Sequence, residues 1–316
     1  MSKESLSRGV VTRIRGSIYV VSSGGGGVKC LLRGRFRIGD RPGELLPVVG
    51  DNVEFRLESS PDDRGARGLI MSVLPRSSVF ARSGSSGKMG HRVIGANLDQ
   101  VIIVVSTKKP TLKLRLVDRM IVASEAGGME PVVCVNKMDL IGDADRMRKQ
   151  LVPYEKMEYK VIFCSALRGT GLDGLRELMR FKSSIMVGPS GTGKTSLVAA
   201  LQPDLKLSTG AVSEKTGKGR HTTTHFELHG LDFGGYLGDT PGIREFGVSG
   251  LSGRELGIHF RDFRSYLGTC RFSTCTHSHE PDCAVKEAVE KGTLSRDRYE
   301  SYIRILDSIN DQQKSR

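Results

Sequence analysis

The sequence predicts a multidomain α/β chain. It reads as a small N-terminal β-barrel of the OB type over residues 1–78, a central α/β body with a mostly parallel sheet and helices on both faces over 79–248, and a C-terminal helical metal-binding module over 249–316. Three observations carry this. Short strand patterns without helices fill the first ~75 residues, apolar runs alternate with helical patterns through the middle, and three of the six cysteines crowd between 270 and 283. A length of 316 residues is roughly twice the usual size of one domain, so more than one core is expected.

The N-terminal strands read GVVTRI, SIYVVSS, VKCLL, RFRI, NVEFRLE and GLIMSVL, separated by turn signals at Gly24 to Gly27, Gly39-Asp40 and PDDRG. About five such strands fit an OB-type barrel, with a sandwich fragment or an SH3-like barrel as alternatives. The net charge of +13 points to an anionic partner, nucleic acid first. Within the first 40 residues, eight basic residues stand against Glu4 and Asp40. Arg13, Arg15, Arg33, Arg35 and Arg37 are the candidate RNA contacts, and a solvated strand face is the other reading of the same pattern. Aromatic residues are scarce there (Tyr19, Phe36, Phe55), which favours phosphate contact over base stacking.

No window approaches the ~18 consecutive apolar residues of a membrane span. The opening MSKESLSRGV has no apolar core of a secretory signal, so a cytoplasmic protein without membrane contact is expected; a monomer is the separate expectation for its oligomeric state. Six cysteines in such a chain are too sparse for a disulfide scaffold; Cys30, Cys134 and Cys164 lie in apolar runs and read as core.

A Ser/Gly-rich stretch, RSGSSGKMGH (82–91), reads as a linker or loop. Beyond it VIIVVS (101–106), PVVCV (131–135), VIFCS (161–165) and SIMVG (184–188) alternate with helical patterns at 112–126, 143–152 and 172–182. Apolar strands separated by helices imply a parallel sheet buried on both faces, with ligands beyond the strands' carboxyl ends.

After SIMV comes Gly188, Pro189, Ser190, Gly191, Thr192, Gly193, Lys194, Thr195 and Ser196, matching G-x-x-x-x-G-K-[ST] between a strand and the helical SLVAAL. Such a loop closes backbone N–H groups around phosphate oxygens. Lys194 can reach the β and γ phosphates and the Thr195 hydroxyl can ligate Mg²⁺. After PVVCV stand Asn136, Lys137, Met138 and Asp139, the N-K-x-D pattern. Its aspartate can accept from both the ring N–H and the exocyclic amino group of guanine, which adenine does not offer. Ser165-Ala166, at the end of the next strand, offers a backbone N–H to the guanine oxygen. Downstream, Asp239-Thr-Pro-Gly242 supplies a magnesium carboxylate and a γ-phosphate N–H. The polar loop SEKTGKGRHTTTH (213–225) offers a second magnesium hydroxyl, with Thr223 favoured; an inert surface loop is the other reading.

Two features set this apart from a Ras-like GTPase. The guanine motif precedes the phosphate loop, so the domain is circularly permuted. Ile243 also stands where a water-orienting Gln is expected, which leaves His221 as the nearest suitable group; a loop histidine or an RNA contact is its bland reading.

In the third segment Cys270-x₄-Cys275-x-His277-x₅-Cys283 is a Cys₃His set sufficient for tetrahedral Zn²⁺, with His279 as a competing fourth ligand. Four protein ligands and no neighbouring base make one structural zinc the expectation. AVKEAVEKG and LSRDRYESYIRILDSI read as helices packed beside it.

Taken together, NKMD, CSA, GPSGTGKTS, GKGRHTTT, DTPG and CxxxxCxHxxxxxC followed by RYESY resemble the ribosome small subunit-dependent GTPase A family (RsgA, also called YjeQ). The resemblance covers nearly the whole chain. It implies an OB-fold, a permuted GTPase and a zinc domain that engage the small ribosomal subunit and its rRNA. It also implies subunit-stimulated hydrolysis of GTP to GDP and phosphate, during late maturation of the decoding region. The family's catalytic histidine falls on His221; with Lys194 and Thr223 it completes the catalytic candidates. SLVAAL departs from the family, where an Asn commonly follows the phosphate loop. A metabolic P-loop kinase and a non-catalytic GTP-responsive RNA-binding adaptor are the rival functions.

Overall fold

The computed structural model describes residues 6–34, 46–82, 92–205, 226–239, 248 and 251–314. Strands β1 (Ser7–Arg15), β2 (Ile18–Ser23), β3 (Gly26–Leu32), β4 (Asn52–Leu57) and β5 (Gly68–Val73) close into a barrel in the order β1-β2-β3-β5-β4. The β3–β5 contact is parallel, and β1 returns to pair antiparallel with β4. This is the OB arrangement. Period-2 alternation turns Val11, Tyr19, Val21, Cys30, Val53, Phe55 and Ile70 inward as the barrel core. The RFRI pattern, with Arg35 and Arg37, lies outside the described residues.

The Ser/Gly-rich stretch joins two paired strands, β6 (Val79–Arg82) and β7 (Arg92–Ala96), so it connects a hairpin. That hairpin fastens barrel to body: Val49 bridges to Gly95, and the Phe80 and Phe226 rings stand 5.8 Å apart.

The body is built from β8 (Gln100–Ser106), α1 (Leu114–Ala126), β9 (Glu130–Asn136), α2 (Ala144–Lys156), β10 (Lys160–Phe163), α3 (Leu172–Met179), β11 (Ser183–Val187), α4 (Lys194–Leu201), β12 (Glu227–Gly230) and β13 (Tyr236–Asp239). The sheet order is β10-β9-β8-β11-β13-β12, parallel except for the edge strand β12. Every residue of β8 is buried, because helices cover both faces of the sheet. One core carries Ile103, Val105, Val133 and Val187, the other Ile102, Val104, Val132 and Met186; the strand residues alternate between them. Cys134 and Cys164 are buried as expected. The carboxyl ends of β8, β9, β10, β11 and β13 share one edge, which places their following loops together.

The C-terminal module holds a single turn α5 (Gly253–Leu256) started by a Ser252/Glu255 capping box, two 3-10 turns (Gly257–His259 and Arg261–Tyr266), and helices α6 (Ala284–Glu290) and α7 (Arg296–Lys314). Its core of Leu256, Phe260, Phe263, Val285, Tyr302 and Leu306 takes in Val122 and Ala123 from α1, so it shares apolar surface with the body. A charged junction lies beside this core. Arg298 is 4% exposed, bonds Asp118 of α1 and Asp262, and stacks over Phe260 at 4.7 Å. Burial opposes its charge, but the two carboxylates more than offset that and raise its pKa. Among the described residues, no helix is long and apolar enough to cross a membrane.

Candidate nucleotide and metal sites

The phosphate loop leaves β11 and enters α4 with Gly188, Gly191 and Gly193 at φ of 143°, 80° and 91°. A side chain at Gly188 would place its Cβ 2.1 Å from Val104 O, and one at Gly193 would lie 2.4 Å from Asn136 Nδ2. Both positions therefore need glycine for conformation and for space. Lys194 Nζ donates to Gly188 O (2.8 Å) and Pro189 O (2.9 Å), which holds the ammonium at the loop's own carbonyls. Burial lowers its pKa. Thr192 is buried and donates to Pro189 O at 3.0 Å, while Thr195 and Ser196 stand exposed on the first turn of α4.

Asn136 ends β9, 1% exposed, and ties two loops together. Its Nδ2 donates to Thr192 O at 3.0 Å and its Oδ1 accepts from Ala166 N at 3.1 Å. Lys137 adopts φ 63°, its Nζ donating to Lys109 O and Gly191 O at 2.5 Å each. Thr107 Oγ1 holds the Lys137 carbonyl at 2.7 Å. Ser165 Oγ donates to Asp139 Oδ1, so the base-reading carboxylate and the Ser165-Ala166 loop are in direct contact. Asp239 ends β13 beside β11, 8% exposed. The structure thus brings Asn136, Lys137, Asp139, Ser165, Ala166, the 188–196 loop and Asp239 to one edge. His221, Thr223, Gly242 and Ile243 lie outside the described residues. The residue patterns missed Thr107 and the Lys109 carbonyl, whose only signal was their place directly after an apolar strand.

Cys270, Cys275, His277 and Cys283 place their ligand atoms within 4.8 Å of one another. Cys270 Sγ and Cys283 Sγ are 3.9 Å apart and lie 3.5 and 3.4 Å from His277 Nδ1. Tetrahedral zinc with bonds of about 2.3 Å to sulfur and about 2.0–2.1 Å to nitrogen requires roughly 3.8 Å between sulfurs and roughly 3.5 Å from sulfur to nitrogen. The donors fit. His279 is outside the group and contacts Ser278 Oγ instead. Glu280, which the sequence pattern did not single out, braces the ligand loop by accepting from Thr276 N (2.7 Å), Thr276 Oγ1 (2.6 Å) and Ser278 N (3.0 Å). Burial opposes its charge, yet these bonds hold its carboxyl at about 2. Tyr299 and Tyr302 donate to the His277 and Thr276 carbonyls.

Of the predicted barrel contacts, Arg33 is exposed, and Arg13 and Arg15 turn toward the body, where both meet Glu227.

A phosphate loop and an N-K-x-D loop joined at one sheet edge, with the base-reading strand earlier in the chain, define a circularly permuted P-loop GTPase. The family model described as RsgA GTPase matches residues 73–249, and the RsgA N-terminal domain model matches residues 8–63. The chain belongs to the RsgA GTPase family. It is 38% identical to the small ribosomal subunit biogenesis GTPase RsgA of Caldanaerobacter subterraneus subsp. tengcongensis, over 98% of each chain. Its identity to the protein of the same name from Chlorobaculum tepidum is 40%, over 97% of this chain and 99% of the other. Among solved structures, YjeQ from Thermotoga maritima superposes with a TM-score of 0.76 at 35% identity, covering 96% of this chain and 99% of that one. YloQ, described as a circularly permuted GTPase, gives a TM-score of 0.76 at 28% identity, over 99% and 98%.

Proposed function

We propose that the chain hydrolyses GTP to GDP and phosphate in response to the small ribosomal subunit and assists that subunit's late maturation. The supporting observation is the Asn136 bridge, which makes a phosphate-binding loop and a guanine-reading loop into one site. In this reading residues 1–78 bind rRNA, 79–248 bind and cleave GTP, and 249–316 form a module around one structural Zn²⁺. Asp139 reads the guanine edge, Ala166 N meets its oxygen, and the 188–196 loop cradles the phosphates. Thr195, Asp239 and Thr223 would hold Mg²⁺, which when bound neutralises charge on the phosphates. Lys194 leaves its loop carbonyls for phosphate oxygens, a stronger charge-assisted bond.

The deciding experiment is GTP turnover titrated with purified small subunits: a rise in rate supports the proposal, and a flat rate with intact GTP binding returns the chain to a non-catalytic adaptor. His221→Ala is expected to lose most of the stimulated turnover while still binding GTP and subunit; wild-type stimulated turnover would remove the histidine from catalysis. Asp139→Asn is expected to weaken GTP binding by roughly 10- to 100-fold and to admit xanthosine nucleotides, because the amide reverses one partner facing the ring. Competition binding with both nucleotides reads this directly, and unchanged GTP affinity would remove Asp139 from base recognition.

A further inference from the structure

The barrel meets the central sheet at its edge strand, and charge makes much of that contact. The Glu227 carboxylate, at the start of β12, takes Arg13 Nε at 2.7 Å and the Arg15 guanidinium at 3.6 Å. Tyr236 OH donates to Ser22 Oγ at 3.0 Å in the same seam. The Glu227 side chain is 15% exposed, against 40% for Arg13 and 70% for Arg15. Across the antiparallel pairing of β12 with β13, Glu227 stands directly opposite Asp239. Opposed residues share a face with Cβ atoms about 4.5–5.5 Å apart, and like charges so placed repel. Two arginines from another domain therefore offset a carboxylate that neighbours Asp239.

We infer that Glu227 is a positioning residue for a magnesium ion at Asp239, that Arg13 and Arg15 set its effective charge, and that an RNA phosphate taking Arg15 thereby tightens Mg²⁺·GTP binding. This rests on the proposed roles of Asp239 in magnesium binding and of the barrel in RNA binding. Arg15 is the more exposed partner and holds the longer contact, so a phosphate competes for it first, while Arg13 stays on Glu227. With Arg15 withdrawn, Glu227 presents more uncompensated negative charge beside Asp239, which favours a divalent cation there. The linkage is reciprocal: Mg²⁺·GTP then tightens RNA binding by the same factor.

The test is a magnesium titration of the retention of a fluorescent GTP analogue by the full chain, with and without a single-stranded RNA oligonucleotide. Glu227→Gln is expected to raise the magnesium needed for half-maximal retention about threefold or more, and Arg13→Gln to lower it. A purely structural clasp would move both variants in the same direction, which overturns the inference. In the wild type the oligonucleotide should lower the magnesium requirement about fivefold, while Glu227→Gln still binds the RNA but loses that shift. Asp239→Asn separates the layers. If it raises the requirement and Glu227→Gln does not, the inference alone falls; if it too has no effect, the magnesium assignment falls and the inference with it. A wild-type chain that does not bind the oligonucleotide overturns the barrel assignment and the RNA linkage together.

Discussion

Asn136→Ala is expected to lower affinity for GTP and GDP by about two orders of magnitude while leaving the sheet intact. The side chain is 1% exposed and bonds the phosphate loop at Thr192 O and the Ser165-Ala166 loop at Ala166 N, alongside the Lys137 ammonium on Gly191 O. Truncation leaves the buried Thr192 O without that partner, at about 1–3 kcal/mol, unless the phosphate loop shifts to meet water; nucleotide binding must then draw the loop back at a similar cost. Asn136 Oδ1 also fixes the position of Ala166 N, the group assigned to the guanine oxygen, so losing it lets the donor that meets the base move away. At ~1.4 kcal/mol per decade, about 3 kcal/mol is a hundredfold in affinity. The two apolar cores lie on the faces of the sheet, away from this edge, so thermal stability should fall much less. Fluorescence titration with labelled GDP measures the effect; affinity within threefold of wild type would show that the two loops hold their places without the bridge.

Elements whose residues carry their own chemistry were legible from the sequence. Glycine spacing, buried β-branched runs and the cysteine cluster each report local requirements, and the barrel, the parallel sheet and the Cys₃His group follow them. Elements set by distant contacts were not legible. The helix expected to stop at residue 152 runs on through Pro153 to Lys156, because Leu151 and Tyr154 anchor it in the core beneath the sheet. The β6–β7 hairpin was hidden by its Ser/Gly-rich connection, since its partners are joined only across that loop. Arg298 and Asp118 stand 180 residues apart, and nothing in either neighbourhood announces that they pair. The same applies at the nucleotide site: Asn136 is recognisable as part of N-K-x-D, but its grip on Thr192 O spans 56 residues and exists only once β9 and β11 are in one sheet. Arg13 and Arg15 show the converse. Their alternation reads as an open basic face, and folding adds what it does not show, a shared carboxylate of the central sheet, with Arg15 still 70% exposed.

Removing the zinc proposed at the Cys₃His cluster is expected to unfold the C-terminal module while GTP affinity stays within about threefold of wild type. The Cys₃His donors are spaced for a tetrahedral ion, and structural zinc contributes roughly 10–16 kcal/mol to the folding of small zinc modules. Without a cation the Cys270 and Cys283 sulfurs and the His277 imidazole crowd one another at 3.4 to 3.9 Å, and burial pushes the Cys275 thiol up to about 12, a cost that a bound divalent ion reverses by taking the thiolate. The segment 270–283 joins the 3-10 turns to α6, and Tyr299 and Tyr302 of α7 donate to the His277 and Thr276 carbonyls, respectively. Loss of the ligand loop therefore reaches both helices. The spread should stop at α1: Val122 and Ala123 lose their cover and Asp118 loses Arg298, but Asp118 gains water and its bond from Tyr154 remains. Cys275→Ser should reproduce chelation by removing one thiolate without adding bulk. Metal analysis, helix content by circular dichroism, limited proteolysis and GTP titration on the same preparations decide the matter. A metal-free chain whose C-terminal segment still resists protease would show that the apolar core, rather than the ion, holds the module.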